Sequence, residues 1–526
     1  MIALVVVVAI RGGGGPSPAP SARRVESIFQ DDDHLLYAST PVVTHTLDVL
    51  AGLGVDRLRV TLLWKALAPS PTSATPPPGF DAANPYAYPA GAWAPYDRLV
   101  EEARARGIGV DFDVTAPGPQ WAMARPAPAP RYADHWAPSA VAFGEFVQAV
   151  ATRYSGVFPP APGAAALPRV SFWSIWNEPN QPGWLAPQWT SGPGGAAIAS
   201  AALYRDYVDA AWGALARTGH TPSRDTILIG ELAPEGSEPA HPDYRSAIPP
   251  MPFLRALYCV DGAFAPLRGA AAAVAGCPRR TDPAGFVRAN PGLFEASGFA
   301  HHPYSFFLAP SASMADPSFV PLSDLSRLER GLDRILAAYG MSRRLPLWLT
   351  EYGYETNPPN PCRGVSLRRQ ALYLDEAQYI AMRDPRVRSF AQFLLYDSLP
   401  DTSYPRSDVC RYWSTFQTGL EFADGRPKPS LAAYRLPLFL PHPALGPGRQ
   451  VLVWAMLRAA RGLGSQVASI QWRPSGGAFR TVARATAPAP NHVVAQTVRV
   501  PGPGLVRAAW RGPSGPVRYS RQAEVR

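Results

Sequence analysis

The sequence predicts an α/β fold: a TIM (β/α)8 barrel followed by a small C-terminal antiparallel β-sandwich. Three observations predict it. Between about Glu26 and Pro437, apolar strand-like runs alternate with amphipathic helical stretches, the signature of parallel βαβ units. Eight strands and eight crossovers fill about 410 residues, which suits a barrel with loop insertions. After Pro437 the helical period stops, and short alternating runs are separated by Gly and Pro turns. The 526 residues thus divide into an apolar leader and linker over 1–25, a barrel over 26–437 and a β module over 441–526.

The first strand falls within Glu26–Ala38, followed by a helix at Val42–Leu53 that Gly54 stops. The second strand is Val55–Trp64, and a helix at Tyr96–Arg106 ends at Gly107. Ile108–Val114 is the third strand. Pro138–Tyr154 is a helix whose apolar face combines Val141, Phe143, Phe146, Val147 and Val150. Val170–Trp176 is the fourth strand, Ala197–Arg217 a long helix, and Thr226–Gly230 the fifth strand. Gly298–His301, Leu345–Thr350 and Ser389–Leu395 are the sixth to eighth strands, separated by helices at Leu322–Tyr339 and Ser366–Arg383. A closing helix begins at Lys428. In the tail, Val451–Leu457, Ser465–Trp472, Phe479–Arg484, His492–Val500 and Leu505–Trp510 read as sandwich strands.

Composition narrows the function. With 47% apolar residues, Trp 14, Tyr 21 and Phe 21, the chain is globular despite Pro 61 and Gly 44, because disordered chains are poor in aromatics. The net charge of +10 is concentrated in the tail, where residues 441–526 hold twelve arginines, no lysine and one acid, Glu524. No nucleic-acid motif accompanies that charge. An anionic cell-wall or glycan contact is the functional expectation for the arginines, and a merely buttressing sandwich is the alternative. Met1–Ile10 is apolar and precedes a Gly/Pro/Ser/Ala stretch, which reads as a signal-peptide core without its basic leader. It is too short to span a bilayer as a helix. A secreted, extracellular protein is expected, and the four cysteines agree with it. Of their three possible pairings, Cys259–Cys277 with Cys362–Cys410 is favoured, each stapling a long loop.

Chemistry is carried by two glutamates that each follow a strand. Glu178 lies in Asn177-Glu178-Pro179 after the fourth strand, and Glu351 in Thr350-Glu351 after the seventh. A barrel aims such residues at one point above its carboxyl end. Two facing carboxyls can cleave a glycosidic bond: one protonates the leaving oxygen while the other attacks. Glu231, Glu235, Glu355 and Asp397 are rival carboxylates. Trp64, Trp121, Trp184, Trp189 and Trp413 follow strands, and sugar rings stack on indoles. No Gly-rich phosphate loop, Ser/His/Asp order or metal motif is present, so neither metal nor cofactor is expected.

Arg59, Asn177-Glu178-Pro179, His302-Pro303-Tyr304 and Thr350-Glu351 together resemble glycoside hydrolase clan A, the retaining β-glycosidases on TIM barrels, nearest to families 39 and 5. The resemblance covers residues 26–437. It implies that Glu178 is the acid/base and Glu351 the nucleophile, with a carbohydrate as substrate. It further implies that Arg59 and Tyr304 steady Glu351, Asn177 binds the sugar 2-hydroxyl, and His302 orients the acid/base or the sugar; His301 competes for that place. Many clan members end the eighth strand with a tryptophan platform; here Tyr396 or Trp413 would replace it. The third strand also lacks the histidine found there in family 5. The expected reaction is a two-glutamate double displacement on β-glycosidic bonds of an oligo- or polysaccharide. The alternative is a non-catalytic carbohydrate-binding or wall-associated barrel, whose glutamates would stand further apart.

Overall fold

The computed structural model describes residues 24–526, apart from 125–126, 193–194, 238, 240, 281 and 514. The signal-like segment lies outside the described residues. Eight parallel strands close a barrel: β1 Glu26–Gln30, β2 Arg57–Leu63, β3 Gly109–Thr115, β4 Phe172–Ile175, β5 Thr226–Leu232, β6 Gly298–His301, β7 Leu347–Leu349 and β8 Val387–Phe393. Each pairs with its chain neighbours, and β1 closes on β8 with Glu26 opposite Ser389. Crossover helices include α1 Thr40–Leu53, α2 Ala90–Ala105, α3 Ala140–Arg153, α4 Ala199–Arg217, α5 Pro250–Leu257, α6 Leu325–Ala338, α7 Leu367–Arg383 and α8 Pro429–Arg435.

Local chemistry sets these boundaries. Gly54 ends α1 at φ 81, and the Ser139 and Ser366 hydroxyls cap α3 and α7 by accepting backbone N–H bonds. On α3, Phe143, Phe146, Val147 and Val150 are buried as expected, whereas Val141, two residues from Phe143 and so on the opposite face of the helix, is 74% exposed. Both favoured disulfides are present, Cys259–Cys277 and Cys362–Cys410. The second ties the loop after β7 to the loop after β8. No helix of the described residues is long and apolar enough to cross a membrane.

The C-terminal module packs a three-stranded sheet against a five-stranded one, all antiparallel. Its strands are β9 Leu438–Phe439, β10 Gln450–Met456, β11 Gln466–Arg473, β12 Arg480–Ala487, β13 Val493–Arg499, β14 Gly504–Arg511, β15 Val517–Tyr519 and β16 Ala523–Val525. Leu436, Leu438 and Leu440 pack into its core. Several tail arginines face the barrel rather than solvent. Arg458 donates to the Tyr434 carbonyl and Gln378, Arg461 to the Val55 and Gly107 carbonyls and Asp56, and Arg521 to Asp375. The sandwich is thereby pinned to the amino ends of β2 and β3 and to α7.

Candidate active site

The floor of the carboxyl-end cleft is organised around Arg59. It projects from β2 into the barrel and is 0% exposed. Its Nη1 donates to Gln30 Oε1 at 2.7 Å and to Glu351 Oε1 at 2.6 Å. Its Nη2 donates to Asn177 Oδ1 at 2.7 Å, Asp113 Oδ2 at 3.1 Å and Glu231 Oε2 at 3.2 Å. Burial opposes the arginine's charge, but the surrounding carboxylates more than restore it. Burial is also the strongest influence on Asp113 and pushes its carboxyl well above the usual range, against the pull of Arg59.

Glu351 follows β7 and Thr350. Besides Arg59, it accepts from the Tyr304 hydroxyl at 3.0 Å. Glu178 follows β4, where Trp176 and Glu178 both take left-handed φ values, 67 and 39. This kink is anchored by the Asn177 N–H on Thr115 Oγ1 and the Glu178 N–H on the Glu231 carbonyl. Strained backbone of this kind persists where the surroundings over-determine it, commonly at working sites. Glu178 accepts from His302 Nδ1 at 2.9 Å, and His302 Nε2 donates to Glu231 Oε2 at 2.8 Å.

His302, not His301, therefore serves the cleft. Burial alone would make His302 hold its proton less tightly. The charge of Glu351 and the bonds to Glu178 and Glu231 outweigh that and push its pKa up to about 10. His301 is turned the other way, onto the Val320 carbonyl, and burial pushes it down to about 4. Glu231 is the group that strand position undersold. Gly230 at φ 105 and Glu231 at φ 47 form a bulge where the β5–β6 register shifts, turning Glu231 inward. A Cβ at Gly230 would lie 2.6 Å from the Ala300 carbonyl oxygen, so only glycine fits there. Glu231 Oε2 also accepts from Thr350 Oγ1 at 2.6 Å. Burial raises this carboxyl, but Arg59 and His302 prevail and hold it below the usual range.

A carboxyl oxygen of Glu178, one of Glu351 and a ring nitrogen of His302 all lie within 4.8 Å of one another. That spacing could hold a cation; both ring nitrogens of His302 are engaged there, with Glu178 and Glu231. Above the floor opens a cleft of about 730 Å³. Gln30, Asp32, Asn177, Glu178, Tyr304 and Glu351 line its base, and Trp184, Glu235, Phe306, Phe307, Glu355, Arg363 and Phe416 its walls.

Several expected residues sit elsewhere. Arg59 and His302 are wholly buried beneath the cleft, where they contact Glu351 and Glu178. Trp64 begins a short helix, Trp64–Leu67, that carries the indole out of the barrel to stack on Phe146, with Trp121 edge-on against it. Tyr396 packs under His34, and Trp413 lies against Tyr412 at the end of an outer turn. None of these four aromatics lines the cleft; Phe393 and Phe416 occupy the wall after β8 instead. Asp397 is bound to Lys428 at 2.6 Å and is a structural ion pair.

No protein-family model and no curated protein matches the chain. Solved structures do resemble it. A family 39 glycoside hydrolase from Bacteroides cellulosilyticus WH2 shares 14% identity over 92% of this chain and 81% of its own, with a TM-score of 0.46. A monomeric β-xylosidase from Caulobacter crescentus CB15 shares 12% over 90% and 94%, also at 0.46. A family 1 β-glucosidase from Thermotoga maritima shares 14% over 74% and 84%, at 0.42. What the cleft can do follows from its own atoms.

Proposed function

We propose that this chain is a secreted retaining β-glycoside hydrolase. The observation that carries the reading is that one carboxyl oxygen of Glu178 and one of Glu351 lie within 4.8 Å of each other across an open cleft, a closeness that supports a retaining pair. Retaining pairs stand about 5–5.5 Å apart, whereas inverting pairs leave about 6.5–9.5 Å for a water. The same closeness disfavours a non-catalytic barrel.

In the first step Glu351 attacks the anomeric carbon and Glu178 gives its proton to the departing glycosidic oxygen. Arg59 and Tyr304 fix the attacking carboxylate. The His302 N–H at 2.9 Å supports the negative charge that Glu178 acquires as it loses that proton. In the second step Glu178 takes a proton from water, and the water's oxygen displaces Glu351 from the sugar. With Asn177 Oδ1 held by Arg59, its amide N–H group is the donor left for a sugar 2-hydroxyl. Asp32, Asp33, Glu178, Glu235, Glu351 and Glu355 line the cleft against Arg363, an acidic surface that supports a neutral rather than an anionic sugar.

The test is a panel of aryl β-glycosides (xyloside, glucoside, galactoside, arabinoside, mannoside) with NMR of the first-formed anomer. Release of the β-anomer is expected. Release of the α-anomer would overturn the mechanism. Glu351→Ala should abolish hydrolysis and, with azide, give the α-glycosyl azide; wild-type turnover in that variant would refute the assignment.

A further inference from the structure

The sandwich holds two kinds of arginine. Arg458, Arg461 and Arg521 serve the junction with the barrel. A second group lies on the outer face of the five-stranded sheet. Along β11, Ala468, Ile470 and Trp472 point into the core of the module, so Ser469, Gln471 and Arg473 face the other way. Along β14, Val506, Ala508 and Trp510 belong to that core, which puts Arg507 and Arg511 outside. The register agrees: Gln471 stands opposite Arg507, Ser469 opposite Arg484 of β12, and Ala509 opposite Tyr519 of β15. Arg473, Arg484, Arg507 and Arg511 therefore share one side. Glu524, the single acid of residues 441–526, stands opposite Leu505 at the margin of that side and is paired with Arg526 at 3.1 Å. Among the described residues, no carboxylate pairs with any of the four arginines.

Aromatic rings hold two of them in place. The Arg507 guanidinium carbon lies 3.9 Å from the Phe479 centroid and 3.9 Å from that of Tyr519, and Arg473 lies 5.0 Å from the same Phe479 ring. Arg507 Nε donates to Gln471 Oε1 at 2.8 Å, which orients its fork, while both Nη groups lack a protein acceptor among the described residues. Arg473 donates to Gln522 Oε1 at 3.1 Å and to the Gly477 carbonyl at 3.3 Å, and its Nε is buried without a partner. Burial lowers the pKa of Arg507; Tyr519 opposes that shift and the charge of Arg473 adds to it. Two like charges fixed on one ring, with free donors and no acid beside them, make a site that an anion completes. The neighbours choose among anions. Ser469, Gln471 and Thr486 interleave hydroxyl and amide groups with the cations, which suits a polymer bearing carboxylates and hydroxyls together. Phe479 already carries two guanidiniums and Tyr519 one, taking up ring surface on which nucleotide bases would stack. The face is built of strands, with no amphipathic helix to lie in a lipid surface.

We propose that this face, centred on Arg473 and Arg507 with Arg484 beside them, binds a uronate-bearing polysaccharide through its carboxylates and tethers the chain to it. The proposal stands apart from the glycosidase reading, because no residue of the cleft takes part. The test is affinity electrophoresis of the full chain in polygalacturonate, with dextran as the neutral control, followed by calorimetric titration. Retardation by polygalacturonate alone, weakening as salt rises, is expected. Arg473→Gln and Arg507→Gln should each weaken binding about tenfold. Arg507→Lys keeps the charge but not the planar fork, and should retain only part of the affinity. Arg499→Gln removes the same charge from an exposed position of β13 on the other sheet, and should leave affinity within about twofold. Equal losses from Arg499→Gln and Arg507→Gln would show a diffuse charge effect and overturn the site. Absence of polygalacturonate binding, or tighter binding to duplex DNA or to phosphatidylserine vesicles at the same salt, would overturn the glycan as ligand. Aryl glycoside turnover should be unchanged in every variant, and a wild-type chain that binds polygalacturonate yet cleaves no glycoside would sink the glycosidase reading while sparing this one.

Discussion

The two ends of the barrel use arginine in different ways. At the carboxyl end, Arg59 is wholly enclosed, and its guanidinium gathers Gln30, Asp113, Asn177, Glu231 and Glu351 from five other strands. At the amino end, Arg461 is 26% exposed and fastens the sandwich through the Val55 and Gly107 carbonyls and Asp56, while Arg521, 17% exposed, reaches Asp375 on α7 and braces its own module through the Leu438 carbonyl. A buried charge among reactive carboxylates needs every partner, because none can be replaced by water. A junction arginine loses less when a partner is removed, because solvent reaches it. The floor is thus an all-or-nothing assembly, and the junction a sum of smaller contacts.

Perturbing the acid/base should give the largest effect. Glu178→Gln should lower turnover of poor leaving groups by about 10²–10⁴-fold while sparing activated aryl glycosides in the first step, as read by burst and steady-state kinetics. An equal loss for both substrate types would count against the acid role.

Arg59→Met tests the floor as a unit. It leaves Glu351 and Glu231 with His302 as their one remaining cationic neighbour, and should cost about 3–5 kcal/mol in denaturant unfolding together with activity. Arg521→Gln tests the junction. It should cost about 1.5–3 kcal/mol and leave kcat unchanged. The remaining loss is limited because burial already pushes Asp375 up to about 7, so it can take a proton near neutrality. If both variants cost the same and both spare activity, the contrast between the two ends fails.

A further effect is one of pH. His302 binds its proton more tightly when folded, with a pKa of about 10 against an ordinary 6.5. Its stabilising contribution is therefore fully present below about 6.5 and is lost as pH rises toward about 10. The stability gap between wild type and His302→Gln should shrink over that window; a constant gap would indicate that His302 is neutral in the folded protein.

Much of the floor was legible because its residues end apolar runs. Glu178, Asn177, Tyr304 and Glu351 all line the one cleft. Asp113 could have been read as well: Asp111, Asp113 and Thr115 alternate on one side of β3, and all three are 0% exposed. Glu231 was underrated because a bulge, not strand parity, turns it inward; Gly230 interrupting an apolar run was the available sign. Trp64 and Trp121 were misplaced because sequence shows that an aromatic follows a strand, not whether the chain then turns over the barrel or away from it. Phe306, Phe307 and Phe416 lie on loops without any period to read. In the module, β15 and β16 are three residues each, too short for alternation to register.

Arg59 also makes the active cleft a readout of ring closure. It reaches groups carried by β1, β3, β5 and the segments after β4 and β7, so a barrel missing any of these strands leaves the buried guanidinium short of an acceptor. Catalytic competence then arrives only with the completed circle, and a misassembled chain would be inert instead of weakly and indiscriminately active.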